Sequence, residues 1–502
     1  MHVQNVFRRG SAGQSGHLVR GLLFGALVVF SMPTYATAFT EVAKLLPPDG
    51  DGAAQDFFGV RVAISGGVAV VGAELDDDDG ENSGSAYVFV RSGDTWAFQQ
   101  KLTAPFAAAG DRFGEWVDID GDTIAVGAFD DEDKGIMSGS VFVFRYSGTS
   151  WNFEDKLLAS DGEPGDRFGE TVYVDGDTIG VGARFADLRM GSAYIFTRTG
   201  STWTEQQKLT APVRQIGDWF GAQIAVDGDT AIVGARTADS VNIDSGAAYI
   251  FTRLAGVWTL DDMLIASDPG ASDEFGMAVD IDGDTVAISA FKDDQNGDDA
   301  GAVYIFGRSA AGWMQQQKLL AIDDSPDFDE LGTQLALQGN TLVVGGSLTR
   351  AAFLFKRSEG NWTQHAKITT NDASVGRFGT SATLDGRSVV VGARLSIDNG
   401  PGSGSAFVFD IVAEDSAACI NDLTAIVMNM NLKQGIANSI DAKLEVISFA
   451  LDDINNGNTT GARHMLMAFN QSVEAQRGIN LTDGQAATLI SLAEGCIDSL
   501  AS

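Results

Sequence analysis

Carboxylates are the side chains this sequence has in greatest supply for chemistry. Its 502 residues hold 68 Asp and Glu against 33 Lys and Arg, a net charge of −35. Many are clustered: Glu74, Asp76, Asp77, Asp78, Asp79 and Glu81; Asp130, Asp131, Glu132 and Asp133; Asp293, Asp294, Asp298 and Asp299. Calcium takes several oxygen ligands from flexible loops. The alternating oxygens of Asp76-x-Asp78 and Asp294-x-Asn296-x-Asp298 make these five residues calcium candidates. Neither run has the closing Glu of a complete calcium loop. The competing reading is a solvated acidic face that keeps the chain soluble. For docking a partner, the same clusters offer Asp76, Asp78, Asp131, Asp133, Asp294 and Asp298.

Other chemistries find little support. Beyond the N-terminal segment only His365 and His464 remain, far apart in the chain. A multi-histidine metal site is excluded, and a Ser-His-Asp triad has little to draw on. No Gly-rich phosphate loop stands between a strand and a helix. A glycosidase needs two placed carboxylates, and sequence cannot select a pair from 68. The strong negative charge disfavours nucleic acid and anionic lipid as partners. An apolar fraction of 44% argues against an acidic disordered chain.

Residues 1–38 read as a secretory signal peptide. They carry Arg8, Arg9 and Arg20 with no acidic residue, an apolar run from Gly21 to Met32, and the small-x-small site Ala36-Thr37-Ala38. Cleavage there leaves 30 basic and 68 acidic residues, a net charge of −38. The expected location is secreted or cell-surface, or the periplasm. In an exported chain Cys419 and Cys496 point to a disulfide, with two buried free thiols as the alternative.

The elements that must position these groups are repeated. Phe-Gly recurs at Phe58-Gly59, Phe113-Gly114, Phe168-Gly169, Phe220-Gly221, Phe275-Gly276 and Phe378-Gly379, with Leu331-Gly332 standing in for a seventh copy. Downstream of each comes Val-Gly-Ala or a variant, as at Val71-Gly72-Ala73 and Val126-Gly127-Ala128. Next come an alternating aromatic segment, a Trp and a Lys-Leu pair. Asp-Gly between the first two segments predicts a type I′ hairpin turn. The small residues of Val-Gly-Ala are expected at the crowded centre of a ring. Each period therefore predicts four short strands, a propeller blade. The seventh copy ends at Phe409-Asp410 without its Lys-Leu strand, whereas Lys44-Leu45 precedes the first Phe-Gly. The fold class is thus mainly β, a seven-bladed β-propeller over residues 39–410 whose N-terminal strand closes the last blade. Strand-two-to-three loops and blade-joining loops should share one face, which the carboxylates would make strongly negative. An Asp two residues before the Phe-Gly position (Asp56, Asp111, Asp166, Asp218, Asp273, Asp329) reads as a loop-backbone acceptor, and the recurring Trp as packing between blades.

From residue 411 the period changes to that of helices, with Ile436, Ile440, Leu444, Ile447, Leu451 and Ile454 on one face. A small all-α bundle is expected over 411–502. The Phe-Gly and Gly-Ala motifs resemble FG-GAP repeats, the units of the integrin α-chain propeller, and are most similar to those of bacterial secreted FG-GAP proteins. The hairpins are too short for the integrin calcium loop, so metal binding there is not implied. Residues Val473 to Gly478 give the C-terminal segment a resemblance to the helical FIMAH domain. The expectation is a monomeric, non-catalytic, secreted or cell-surface binding protein of adhesion type. Its partner, a protein or glycan at a cell surface or matrix, would dock on the loop face. The alternatives are a carbohydrate-active enzyme using loop-face carboxylates and an envelope scaffold.

Overall fold

The structure is a computed structural model. It describes residues 39–411, apart from 49–50, 94, 323–329, 347, 349 and 359, together with Phe469, Asn470 and Val473. The chain divides into two compact units, Met1–Tyr35 and Ala36–Ser502, and all described residues belong to the second. The expected signal peptide lies outside the described residues, as do Cys419, Cys496, Asp329 and the expected helical bundle, except for three residues. Those three, Phe469, Asn470 and Val473, are helical, and Phe469 and Val473 are buried. Ile411 is the last residue of a strand, Ser405–Ile411.

Seven four-stranded antiparallel sheets are formed, six of them from consecutive strands. Blade two shows the pattern: Phe113–Asp120, Thr123–Ala128, Ser140–Tyr146 and Trp151–Leu157. The first strands of successive blades lie side by side around the ring, and Val62–Ser65 of blade one meets Phe378–Asp385 of blade seven. The last sheet takes its outer strand from the other end of the chain. Phe39–Leu45 pairs antiparallel with Ser405–Ile411, Phe39 opposite Ile411 and Leu45 opposite Ala406. The ring therefore closes without leaving an edge strand at its seam.

Each motif has a steric task. The phenylalanines of Phe-Gly are fully buried and meet the aromatic third strand edge-on, as where Phe168 packs on Tyr194 and Phe196 at centroid distances of 5.4 and 5.8 Å. The hydrophobic clusters lie between blades: Val141, Val143 and Leu157 of blade two pack with Val172, Val181 and Trp203 of blade three. The Val-Gly-Ala glycines lie at these seams and not, as expected, at the centre of the ring. The carbonyl of the next blade's Phe-Gly glycine rests on each. A Cβ on Gly72 would stand 1.9 Å from the Gly114 oxygen, and one on Gly127 2.0 Å from the Gly169 oxygen. The centre is lined instead by the first strands.

The hairpin turns also differ from expectation. Asp120 pairs with Thr123, so Gly121 and Asp122 are the central residues. Gly121 has φ +53°, while Asp122 is not among the left-handed residues, which is the type II′ pattern. Only blade one, with Gly66 and Gly67 at +57° and +77°, has the two left-handed residues of type I′. The Asp that seemed part of the turn is the last residue of the strand, and its carboxylate is released for another task described below.

Candidate functional site

Hydrogen bonds bring the two loop families to one face. Gly110 and Arg112 donate backbone N–H groups to the Glu81 and Asn82 carbonyls, Gly165 to that of Ile136, Gly217 to that of Arg189 and Ser272 to that of Ile243. The recurring Asp before Phe-Gly braces the joining loop from within. Asp111 accepts from Ala108 N–H at 2.7 Å, Asp166 from Glu163 at 2.9 Å and Asp218 from Gln215 at 2.7 Å. Burial pushes Asp56 up to about 6 despite the same bond from Ala53.

The acidic loops are not a bare negative face. Five lysines of the Lys-Leu strands reach into them. Lys101 Nζ bonds Asp51 at 2.9 Å, Asp76 at 3.1 Å, and Asp78. Lys156 Nζ bonds Asp131 at 2.7 Å and Asp133 at 2.6 Å. Lys208 holds Asp161 and Asp187, Lys318 holds Asp268 and Asp293, and Lys44 of the closing strand holds Asp372 and Asp398. Asp76 is 1% exposed and also accepts the Tyr87 hydroxyl at 2.6 Å. Burial pulls the Lys101 pKa down, but the bonds to Asp78, Asp51 and Asp76 more than offset it and hold it above its ordinary value.

Four of the six sequence candidates for docking, Asp76, Asp78, Asp131 and Asp133, are therefore committed to internal ion pairs. Asp294 and Asp298 are exposed, and Asp294 accepts the Asp299 N–H at 2.8 Å. Asn296 spends its amide N–H on the Ala321 carbonyl. Among the described residues one group of three acidic, His or Cys side chains has its ligand atoms within 4.8 Å of one another: Asp51, Asp76 and Asp78. Sequence reasoning found two of these and missed Asp51 and the lysine between them. Blade four carried the clue. Its lysine position is Met263, and Ala238 stands where Asp76, Asp131 and Asp293 stand in their blades.

The released turn carboxylates encircle the far mouth of the axial channel. Each blade's turn glycine donates its N–H to the last residue of the preceding blade's first strand. Gly176 donates to Asp120 at 2.9 Å, Gly228 to Asp175 at 2.7 Å, Gly283 to Asp227 at 2.6 Å, and Gly66 to Asp385 of blade seven at 2.7 Å. Gly339 bonds Asp282, and Ser65 and Gln338 serve Gly121 and Gly386, so all seven seams are bridged. A deeper tier joins Val174 N–H to Asp118 at 2.6 Å and Leu337 N–H to Asp280 at 2.7 Å, and the Tyr173 hydroxyl donates to Asp280 across the channel. The channel encloses about 400 Å³.

Burial pushes Asp118 up to about 8 and Asp280 to about 7, against the backbone N–H bonds that favour their ionised forms. Both are protonated in the fold over a range where the unfolded chain has already released its protons. They therefore favour the fold most below pH ~4, and that contribution is lost as pH rises toward 7–8. Asp187 and Asp372 are shifted the other way. Burial raises the Asp187 pKa, but bonds from Arg214, Lys208 and Ser192 outweigh it and hold it at about 2. The Lys44 bond does the same for Asp372, also to about 2, and their contribution disappears as pH falls below ~4. The melting temperature should peak near pH ~4 and fall by several degrees or more toward pH 8. Asp118→Asn should flatten the alkaline limb in melting curves recorded across that range.

The fold and its seams define a closed seven-bladed propeller, an architecture of binding or scaffolding type. FG-GAP repeat sequences match at residues 39–89, 96–144, 151–196, 203–251, 258–306 and 362–409, more than half of the chain. The chain belongs to the FG-GAP repeat family. The unmatched interval holds Leu331-Gly332, the copy without its Phe. No curated protein matches the chain. Among solved structures it is similar to a putative 6-phosphogluconolactonase from Bacteroides uniformis, with 12% identity, 62% of this chain and 85% of that one covered, and a TM-score of 0.44. A second, from Bacteroides fragilis, has 14% identity, coverages of 62% and 84%, and a TM-score of 0.44. No helix among the described residues is long and apolar enough to cross a membrane.

Proposed function

We propose that this chain is an exported, non-catalytic binding protein that docks a surface partner, protein or glycan, on the loop face of blades two to four. One observation carries this reading. Leu188 stands 77% exposed on a left-handed turn in which Asp187, Leu188 and Arg189 all have positive φ, 53°, 64° and 67°. Such a conformation costs non-glycine residues about 1–2 kcal/mol each, and strain of this kind concentrates at functional sites. Asp187, bonded to Lys208, Arg214 and Ser192, fastens the turn. Val213 and Ile216 on the adjoining loop are 70% and 74% exposed, and Ile136 and Ile243 extend the apolar surface to the blades on either side. Exposed apolar side chains rimmed by charge suit a protein interface.

Leu188→Asp with Ile216→Asp should weaken binding to intact cells or extracted surface material at least tenfold without moving the melting temperature. Wild-type binding by the double variant would remove the reading. Calcium is a second reading, supported by the Asp51, Asp76 and Asp78 cluster. The ion would have to compete with Lys101 for the same oxygens.

A further inference from the structure

The loop-side mouth of the channel gathers arginines on aromatic rings. They flank the Phe-Gly and Gly-Ala motifs, and most have carboxylate partners. Arg184 Nη2 bonds Glu170 at 2.5 Å and its guanidinium lies over Phe185 and Trp219; Arg236 bonds Glu274 at 3.3 Å, over Trp219. Arg112 reaches Asp130 at 3.4 Å and Glu74 at 3.7 Å.

Arg61 and Arg394, on either side of the seam between blades one and seven, are different. No carboxylate of the described residues lies within ion-pair distance of either one. Arg61 makes one hydrogen bond, from Nη1 to the Val60 carbonyl at 3.1 Å, and its guanidinium lies 4.3 Å from the centre of Trp116. Arg394 lies 6.0 Å from the centre of Phe57. The Nε atoms of both are buried without a partner. Burial lowers the Arg61 pKa; Glu115 opposes that shift, Arg394 adds to it, and Glu74 and Glu170 oppose it more weakly. Two neighbouring guanidiniums, partly withdrawn from water and neither in an ion pair with a described carboxylate, leave donor capacity that the fold does not use. The acidic groups facing them, Glu74, Glu115 and Glu170, act from beyond ion-pair distance. Glu74 is pushed up to about 9 by burial and by the Glu115 carboxylate beside it.

We propose that Arg61 and Arg394 form a site for a single carboxylate at the axial mouth, taking a small monocarboxylate ligand. A guanidinium fork matches the two oxygens of a carboxylate, and the Nη groups of both arginines, bonded only once between them, are the donors such a pairing uses. The neighbouring Glu74–Glu115 pair and Glu170 disfavour a doubly charged phosphate. The site is separate from the Leu188 surface and does not depend on it.

The test is thermal melting and titration calorimetry of the full chain with sodium galacturonate and sodium acetate. Galactose, inorganic phosphate and sodium chloride at matched ionic strength are the comparisons. Both carboxylates should raise the melting temperature at millimolar concentration and perturb tryptophan fluorescence through Trp116, galactose and chloride should do neither, and phosphate should bind at least tenfold more weakly. A response to galacturonate stronger than to acetate identifies a sugar acid as the ligand class, and equal responses identify the carboxylate alone. Arg61→Met and Arg394→Met should each weaken binding at least tenfold, and Arg145→Ala, on the outer part of blade two, should not. The proposal is overturned if neither carboxylate binds, if phosphate binds as well as they do, or if both arginine variants bind like wild type. Should the variants fold poorly, the ligand comparison on the wild-type chain decides alone.

Discussion

Gly127→Ala should cost the protein about 4 kcal/mol or more, enough to lower its melting temperature by ten degrees or to deplete soluble material. Backbone strain is not the reason, because Gly127 is not left-handed. The added methyl would stand 2.0 Å from the Gly169 oxygen, and that oxygen belongs to the backbone of the next blade. It cannot turn aside as a side chain would. Separating the blades by more than an ångström would open the cluster in which Val141 and Leu157 meet Phe168 and Val181. In a closed ring a displaced blade also strains the other seams. Gly176→Ala is the matched control. Its φ of +54° disfavours alanine, but a Cβ there meets nothing within 4 Å, so the cost should stay near 1 kcal/mol. Comparing the two by chemical denaturation separates seam contact from turn strain. Equal losses would show that the seam is more compliant than its geometry states. Blade five supplies an internal check. There Ser289 replaces the seam glycine, and the facing copy is Leu331-Gly332, the one that lacks Phe. The seam tolerates a larger residue only where its partner motif has also changed.

That coupling explains how much of the fold could be read from sequence. Phe-Gly and Gly-Ala each answer a local steric demand, so their phase fixed the blades, and the surplus of Lys44-Leu45 at one end fixed the closure. The seam position of the glycines was not legible, because a small residue marks close approach without naming what approaches. The turn aspartates were misread for a related reason. Asp-Gly predicts a turn from two adjacent residues, whereas the Asp120 carboxylate reaches Gly176 in the next blade. The acidic face was overestimated because counting charges cannot separate a solvated carboxylate from a paired one. Lys156 lies 25 residues from Asp131, and only folding brings them to 2.7 Å. Arg61 and Arg394 escaped notice because nothing in the sequence distinguishes a paired arginine from an unpaired one.

Lys101→Met should turn a self-neutralised cluster into a cation-dependent one. In the wild-type chain the ammonium bonds Asp51, Asp76 and Asp78, the same three carboxylates whose oxygens lie close enough to share a metal. An ammonium and a calcium ion cannot both occupy that space. With Lys101 in place, the wild-type melting temperature should be the same in millimolar calcium and in chelator. Removing the lysine leaves three carboxylates facing one another, with Asp76 almost wholly buried. Breaking a buried ion pair costs about 3–5 kcal/mol and breaking an exposed one under about 1, so this half-buried cluster should lose about 2 kcal/mol in chelator. Much of that loss should return in calcium, because hard oxygen ligands that lack a counter-ion are what calcium takes. Met263 in blade four shows that methionine fits the lysine position, but there Ala238 has replaced the buried Asp and no uncompensated charge remains. The double variant Lys101→Met with Asp76→Ala should accordingly recover stability in chelator and lose the response to calcium. Differential scanning calorimetry of the three proteins, each in chelator and in calcium, measures all of these terms. A wild-type chain stabilised by calcium would show that the metal displaces Lys101, and the loop face would then be a calcium site in its own right.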